Sequence, residues 1–238
     1  MKTCIIKQPA GLGDIFFCQE IAKTILNEKR ADCIIWPVIK EYSYLASYIG
    51  EENISYISEE ENFPFKEIYL SNMSHIKDTP ELLYLPLKSS DSVIRNLPAM
   101  QAKYALLSMP FTDWEDYLEI RRNYNREKVL EEYLKPVSPF ILINHNFGSI
   151  NYKYLNNRRA IDAKKNSITM DYLGFDNIFD WLGMLEKAEE IHTVDTVWCY
   201  LLQKMKIKNV TVYSRDPGNQ NFFRYAKEIF SKDWVYIL

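Results

Sequence analysis

The stretch Cys4-Ile5-Ile6-Lys7-Gln8-Pro9-Ala10-Gly11-Leu12-Gly13-Asp14-Ile15-Phe16 decides how the rest of the chain is read. Cys4-Ile5-Ile6 is a short apolar strand, and Gln8 to Asp14 is a turn rich in glycine and proline. Ile15, Cys18, Ala22 and Ile25 then recur at spacings of three and four, as one face of a helix requires. A strand, a glycine turn and a helix in that order place free backbone N–H groups where an anion or an oxygen-rich ligand can meet them. Gly13 and Asp14 are therefore the first candidate ligand-binding residues.

The turn also excludes two familiar sites. A dinucleotide fingerprint needs a third glycine or alanine where Phe16 stands, and Trp36-Pro37 occupies the end of the second strand where an acidic residue belongs. The Gly-Lys-Ser/Thr of a Walker A loop is absent too. Asp14 then has two readings. It can accept a proton from an attacking hydroxyl as a general base, or it can cap the helix and complement its dipole without doing chemistry.

Outward from the turn, strands and helices alternate. Strands are expected at Ala31–Trp36, Ile54–Ile57, Glu67–Leu70 and Leu82–Leu85, with a helical stretch from Pro37 to about Tyr48. Residues 113–135 are charged and helix-prone. The pattern restarts at Phe140–Ile143, which runs into the polar loop Asn144-His145-Asn146-Phe147-Gly148-Ser149. Further strands are expected at Ser167–Met170, Glu190–Val194 and Asn209–Tyr213, and helices over Ile178–Leu185, Thr196–Met205 and Asn221–Phe230. This alternation predicts an α/β fold with parallel sheets, in two Rossmann-like domains: 1–135, ending in a helical linker, and 136–238.

Thr193-Val194-Asp195-Thr196 is a second strand-to-helix junction. Thr196 can donate its hydroxyl, and the amides opening the helix can receive a departing diphosphate; Asp195 either lies at that site or caps the helix. Asn146, Gly148, Lys153 and Arg158 add donors and positive charge for a pyrophosphate, although a basic run is also what a solvated face looks like. His145 and Tyr200 either line a cleft or serve the structure.

The 238-residue chain is 47% hydrophobic and 26% charged, with a formal charge of -3, so no general nucleic-acid-binding field is expected. The four cysteines and three histidines are scattered, which argues for reduced thiols in a cytoplasmic protein and against a zinc cluster. Neither a signal peptide nor an apolar run of about 18 residues is found. No D-x-D triplet occurs, so no metal and no other cofactor is expected.

The two junctions together resemble the glycosyltransferases of family 9, the bacterial heptosyltransferase group. Gly11-Leu12-Gly13-Asp14-Ile15 is similar to that family's glycine turn ending in aspartate. Trp181-Leu182-Gly183-Met184-Leu185 through Ala188-Glu189-Glu190-Ile191-His192-Thr193-Val194-Asp195-Thr196 is similar to its helix, strand and donor junction. The resemblance implies a GT-B architecture, with an N-terminal acceptor domain and a C-terminal nucleotide-sugar domain facing a cleft. It implies metal-independent, inverting transfer of a sugar from a nucleotide-diphosphate donor to a glycan or other hydroxyl acceptor. Asp14 matches the base, and Asp195 with Thr196 the donor-phosphate region. Val197 and Tyr200 stand where the family commonly has glycine and histidine, which motivates a noncatalytic nucleotide-sugar or glycan-binding module as the alternative. A sugar-nucleotide isomerase or epimerase is a third reading.

Overall fold

The computed structural model describes residues 1–8, 11–71, 73–87, 99–145, 166–171, 173–214 and 222–237. The chain divides into two compact units, Met1–Arg121 and Arg122–Leu238.

The first unit is built on β1 (Thr3–Lys7), whose Cys4, Ile5 and Ile6 are fully buried. After the glycine turn come α1 (Leu12–Phe17) and α2 (Gln19–Asn27), a nearly continuous pair interrupted at Cys18. Then follow β2 (Cys33–Val38), α3 (Leu45–Ile49), β3 (Ile54–Ser58), α4 (Lys66–Leu70), β4 (Lys77–Asp78), β5 (Leu82–Pro86) and α5 (Ala99–Ala105). The sheet order is β3-β2-β1-β5-β4, parallel except for the short antiparallel edge β4. Strands buried on both faces read as apolar runs rather than alternations, and β1 and β5 do so.

Two local expectations are corrected. Pro37 does not open a helix; it continues β2 and lies opposite Ile57 of β3. The register of β1 on β2 ends at Ile35, so the missing N–H of Pro37 takes no bond from that ladder. Residues 67–70 are helical, not extended. Phe65 turns the chain in the left-handed region (φ 62°), and Phe65, Ile68 and Tyr69, spaced by three and four, pack on a cluster that includes Phe63, Leu82 and Tyr84.

The second unit begins with α6 (Tyr124–Leu134), capped by the Asn123 side chain, and continues with β6 (Phe140–Asn144), β7 (Asn166–Thr169), α7 (Leu182–Lys187), β8 (Glu190–Val194), α8 (Val197–Lys204), β9 (Val210–Tyr213), α9 (Phe222–Ile229) and β10 (Val235–Ile237). All five strands are parallel in the order β10-β9-β8-β6-β7. Counted within the unit this is the doubly wound order 2-1-3-4-5.

The charged helix read as a linker ahead of residue 136 packs with the second unit, so the division falls after Arg121. Arg126 forks onto the buried Asp180 carboxylate with bonds of 2.7–3.1 Å, and Lys187 reaches Glu131 at 2.6 Å. Among the described residues no helix is long and apolar enough to cross a membrane.

Candidate functional site

In open α/β sheets ligands gather at the carboxyl ends of the strands, where the winding direction reverses. In the first unit the chain proceeds from β1 through β2 to β3 on one side, then returns to β5 on the other. The reversal lies between β1 and β5, and there the amide of Leu87 extends the pairing by donating to the carbonyl of Lys7 at 2.7 Å. The glycine turn leaves from this point, and the Gln8 side-chain amide donates to the Gly11 carbonyl at 3.3 Å.

Asp14 is the third residue of α1 and is not its N-cap, which is Gly11. It faces Lys103 of α5 instead, whose ammonium lies on Asp14 Oδ1. The lysine side chain is 2% exposed and that of Asp14 28%, so a buried cation meets a carboxylate within reach of solvent. The other oxygen, Oδ2, lies over Gly11: a Cβ at that position would collide with it. Gly11 is thus required by the approach of Asp14, not by its backbone angles, which are extended (φ 173°).

The next residue of α5 grips α1 one turn further on. The Tyr104 hydroxyl donates to the Phe17 carbonyl, and the Phe17 ring packs edge-on to Tyr104 at 4.9 Å and against Trp114 at 5.5 Å. Lys103 and Tyr104 therefore reach residues three apart on α1, which fixes the register of the two helices. Beyond them Glu20 of α2 is buried beside Tyr104, and desolvation pushes its carboxyl pKa up. Burial also pulls the Lys103 ammonium from its ordinary 10.5 down to about 7. The Asp14 carboxylate opposes that pull and is the counter-charge that lets a lysine be protonated here.

Sequence reasoning missed Lys103. Its one local signal is a lysine three residues after Met100 and three before Leu106, on an otherwise apolar helical stripe.

In the second unit the winding reverses between β6 and β8. Asn144 ends β6 opposite Thr193 and is buried. Its side-chain amide donates to Thr193 Oγ1 at 3.0 Å and to Thr196 Oγ1 at 3.3 Å, so one side chain spans the crevice between the strand ends. Thr196 is the N-cap of α8, accepting from the Trp198 amide at 3.4 Å. The cap role left open for Asp195 thus falls to Thr196. Asp195 is buried, its backbone N–H donates to the Tyr213 carbonyl at 3.0 Å, and its charge helps raise the Tyr236 hydroxyl pKa.

Of the other expected site residues, Gly13 is buried in the first turn of α1. Tyr200 presents its ring edge-to-face to Phe230 at 4.8 Å. Asn146, Gly148, Lys153 and Arg158 lie outside the described residues. The structure thus unites Asp14 with Lys103 in one unit, and Asn144 with Thr193 and Thr196 in the other.

The fold is one found among glycosyltransferases of known structure. One is the glycosyl transferase family 9 structure from Veillonella parvula DSM 2008, with a TM-score of 0.56 and 12% identity; the match covers 99% of this chain and 86% of that one. Another is the bacterial iron-containing dodecameric glycosyltransferase TibC from enterotoxigenic E. coli H10407, with a TM-score of 0.55 and 10% identity over a match covering 89% of this chain. The present chain spans 59% of the TibC chain. No protein-family model matches the sequence, and no curated protein matches it.

Proposed function

We propose that the protein is a glycosyltransferase that moves a sugar from a nucleotide-diphosphate donor to a hydroxyl acceptor, without a metal ion and with inversion at the sugar carbon. One observation carries this reading: a solvent-reachable carboxylate, Asp14, stands at the reversal point of the first sheet with one oxygen held by a buried ammonium. The fold shared with glycosyltransferases supports it.

In the reaction, the acceptor oxygen forms a bond to the anomeric carbon as the bond from that carbon to the diphosphate breaks. The electron pair leaves with the nucleoside diphosphate, and Asp14 takes the acceptor proton. Direct displacement inverts the carbon. The leaving diphosphate goes to the opening of α8, where Thr196, the adjoining amides and Asp195 form the donor region, with Asn144 holding Thr196 in place. Gly13, Asn146, Gly148, Lys153, Arg158 and Tyr200 are proposed to complete the site. The absence of a D-x-D triplet supports transfer without a metal. The GT-B arrangement, with acceptor and donor units facing a cleft, and a cytoplasmic setting belong to the same proposal.

The test is incubation of the full chain with UDP-, GDP- and ADP-linked hexoses and heptoses and a panel of oligosaccharide and serine-rich peptide acceptors. Acceptor-dependent release of nucleoside diphosphate and a mass increment of one sugar are expected. Calorimetric binding of a donor with no product across the panel would instead mark a binding module, and donor conversion without acceptor an isomerase or epimerase.

A further inference from the structure

We infer that Lys103 is a positioning residue for catalysis: it holds Oδ1 of Asp14 so that Oδ2 is the atom presented to the acceptor hydroxyl. The inference rests on the proposed transfer reaction and assigns a partner to its base.

Three features of the joint support it. The contact is made to one oxygen of a carboxylate whose side chain still reaches solvent, whereas the lysine is enclosed. The second oxygen is fixed from the other side by the bare Cα of Gly11, so both ends of the carboxylate are located. Finally, α5 cannot slide away from α1, because Tyr104 is bonded to the Phe17 carbonyl and packed on its ring.

A lysine enclosed merely for structure is a poor choice. Replacing a buried ion pair as a whole by apolar side chains of similar volume removes the desolvation cost and is often neutral or stabilising. What an apolar residue cannot do is keep Asp14 ionised and aimed. With Lys103 present the carboxylate is ready to accept the proton that the acceptor loses as its oxygen bonds to the anomeric carbon. Among the described residues near the joint, Cys18, Glu20 and Tyr117 lie around Tyr104, and Asp113 acts on Glu20. Burial raises the pKa of Cys18, Glu20 and Tyr104, which disfavours a competing negative charge near Lys103.

The experiment is a carboxyl-carbon NMR titration of Asp14 in the full chain from pH 3 to 8, paired with the pH dependence of kcat/KM on the donor that the panel above identifies. In the wild type Asp14 is expected to titrate below the ordinary aspartate value of about 3.9. Lys103→Met should move that midpoint up by at least about one pH unit, with the acid limb of kcat/KM following. Lys103→Arg, which keeps a charge at every pH, should return both toward the wild type. A wild-type midpoint at or above the ordinary value overturns the inference without any variant, and so does a midpoint or acid limb that Lys103→Met leaves in place. A wild type that turns over no donor overturns the transferase reading instead, and the pairing of Lys103 with Asp14 is then decided by the titration alone.

Discussion

The ammonium of Lys103 and the carboxylate of Asp14 meet across 89 residues of chain, the lysine enclosed and the aspartate open to solvent. This contact sets a buried cation against the carboxylate that follows the glycine turn. The six residues of α1 offer little dipole of their own. The charge that acts on Asp14 comes from α5.

Gly11 is the seat of that carboxylate, and Gly11→Ala should unseat it. The added Cβ collides with Oδ2, so either Asp14 rotates off Lys103 or the turn shifts. Urea unfolding should show a loss of about 1–3 kcal/mol, as overpacking does. In an Asp14→Ala background the same substitution should cost much less, and a double-mutant cycle reads the difference.

Lys103 also gives the stability a particular pH dependence. Burial lowers its folded-state pKa to about 7 from an ordinary 10.5, so the cost of the charge is present in full below pH 7 and relieved as pH rises toward 10.5. Across that window the unfolded state binds more protons than the folded state, and stability rises. The unfolding free energy of the wild type should therefore gain on that of Lys103→Met between pH 7 and 9.5 in parallel urea titrations. A constant difference would contradict this.

In the second unit, Arg126→Ala should cost about 2–4 kcal/mol, because it strands the 2% exposed Asp180 carboxylate that the arginine forks onto. Asp180→Asn should cost less, since the amide carries no buried charge. Calorimetric unfolding of the two variants side by side tests the ordering.

Thr196→Ala removes both the cap of α8 and an acceptor for Asn144, and should cost about 1 kcal/mol. If this junction receives the diphosphate, the same variant also raises KM for the donor, by about tenfold for the loss of a hydrogen bond to a charged group. Thr196→Ser should keep both properties near the wild type. A KM unchanged in Thr196→Ala would leave the residue as a cap alone.

Much of this architecture can be read along the chain. The compact apolar runs Leu82–Leu85 and Phe140–Ile143 are strands because they are buried at interior positions of their sheets. The helix opening after Thr196 has its cap and its apolar stripe in plain order. Segments whose state depends on distant partners were not legible. Glu67–Leu70 has strand-like composition, yet Ile68 and Tyr69 join Phe63 and Leu82 only if the chain coils. The allegiance of α6 is set by Arg126 finding Asp180, 54 residues away. The two-residue β4 and three-residue β10 are too short to carry a period.

The site divides in the same way. Asp14, Asp195 and Thr196 follow from strand-to-helix junctions, which are local. Lys103 and Asn144 do not, because each acts on a residue brought to it by the sheet order: β5 beside β1 in one unit, β6 beside β8 in the other. A lysine interrupting an apolar stripe and an asparagine ending an apolar strand were the only traces of them in the sequence.

The central claim is that Asp14 takes the acceptor proton, and the rate of sugar transfer by Asp14→Asn tests it most directly. The variant keeps the shape of the side chain, and its fold can be verified by circular dichroism. Transfer to the acceptor should fall by about 10²–10⁴-fold at saturating donor. A folded Asp14→Asn protein that transfers sugar at the wild-type rate would contradict the assignment.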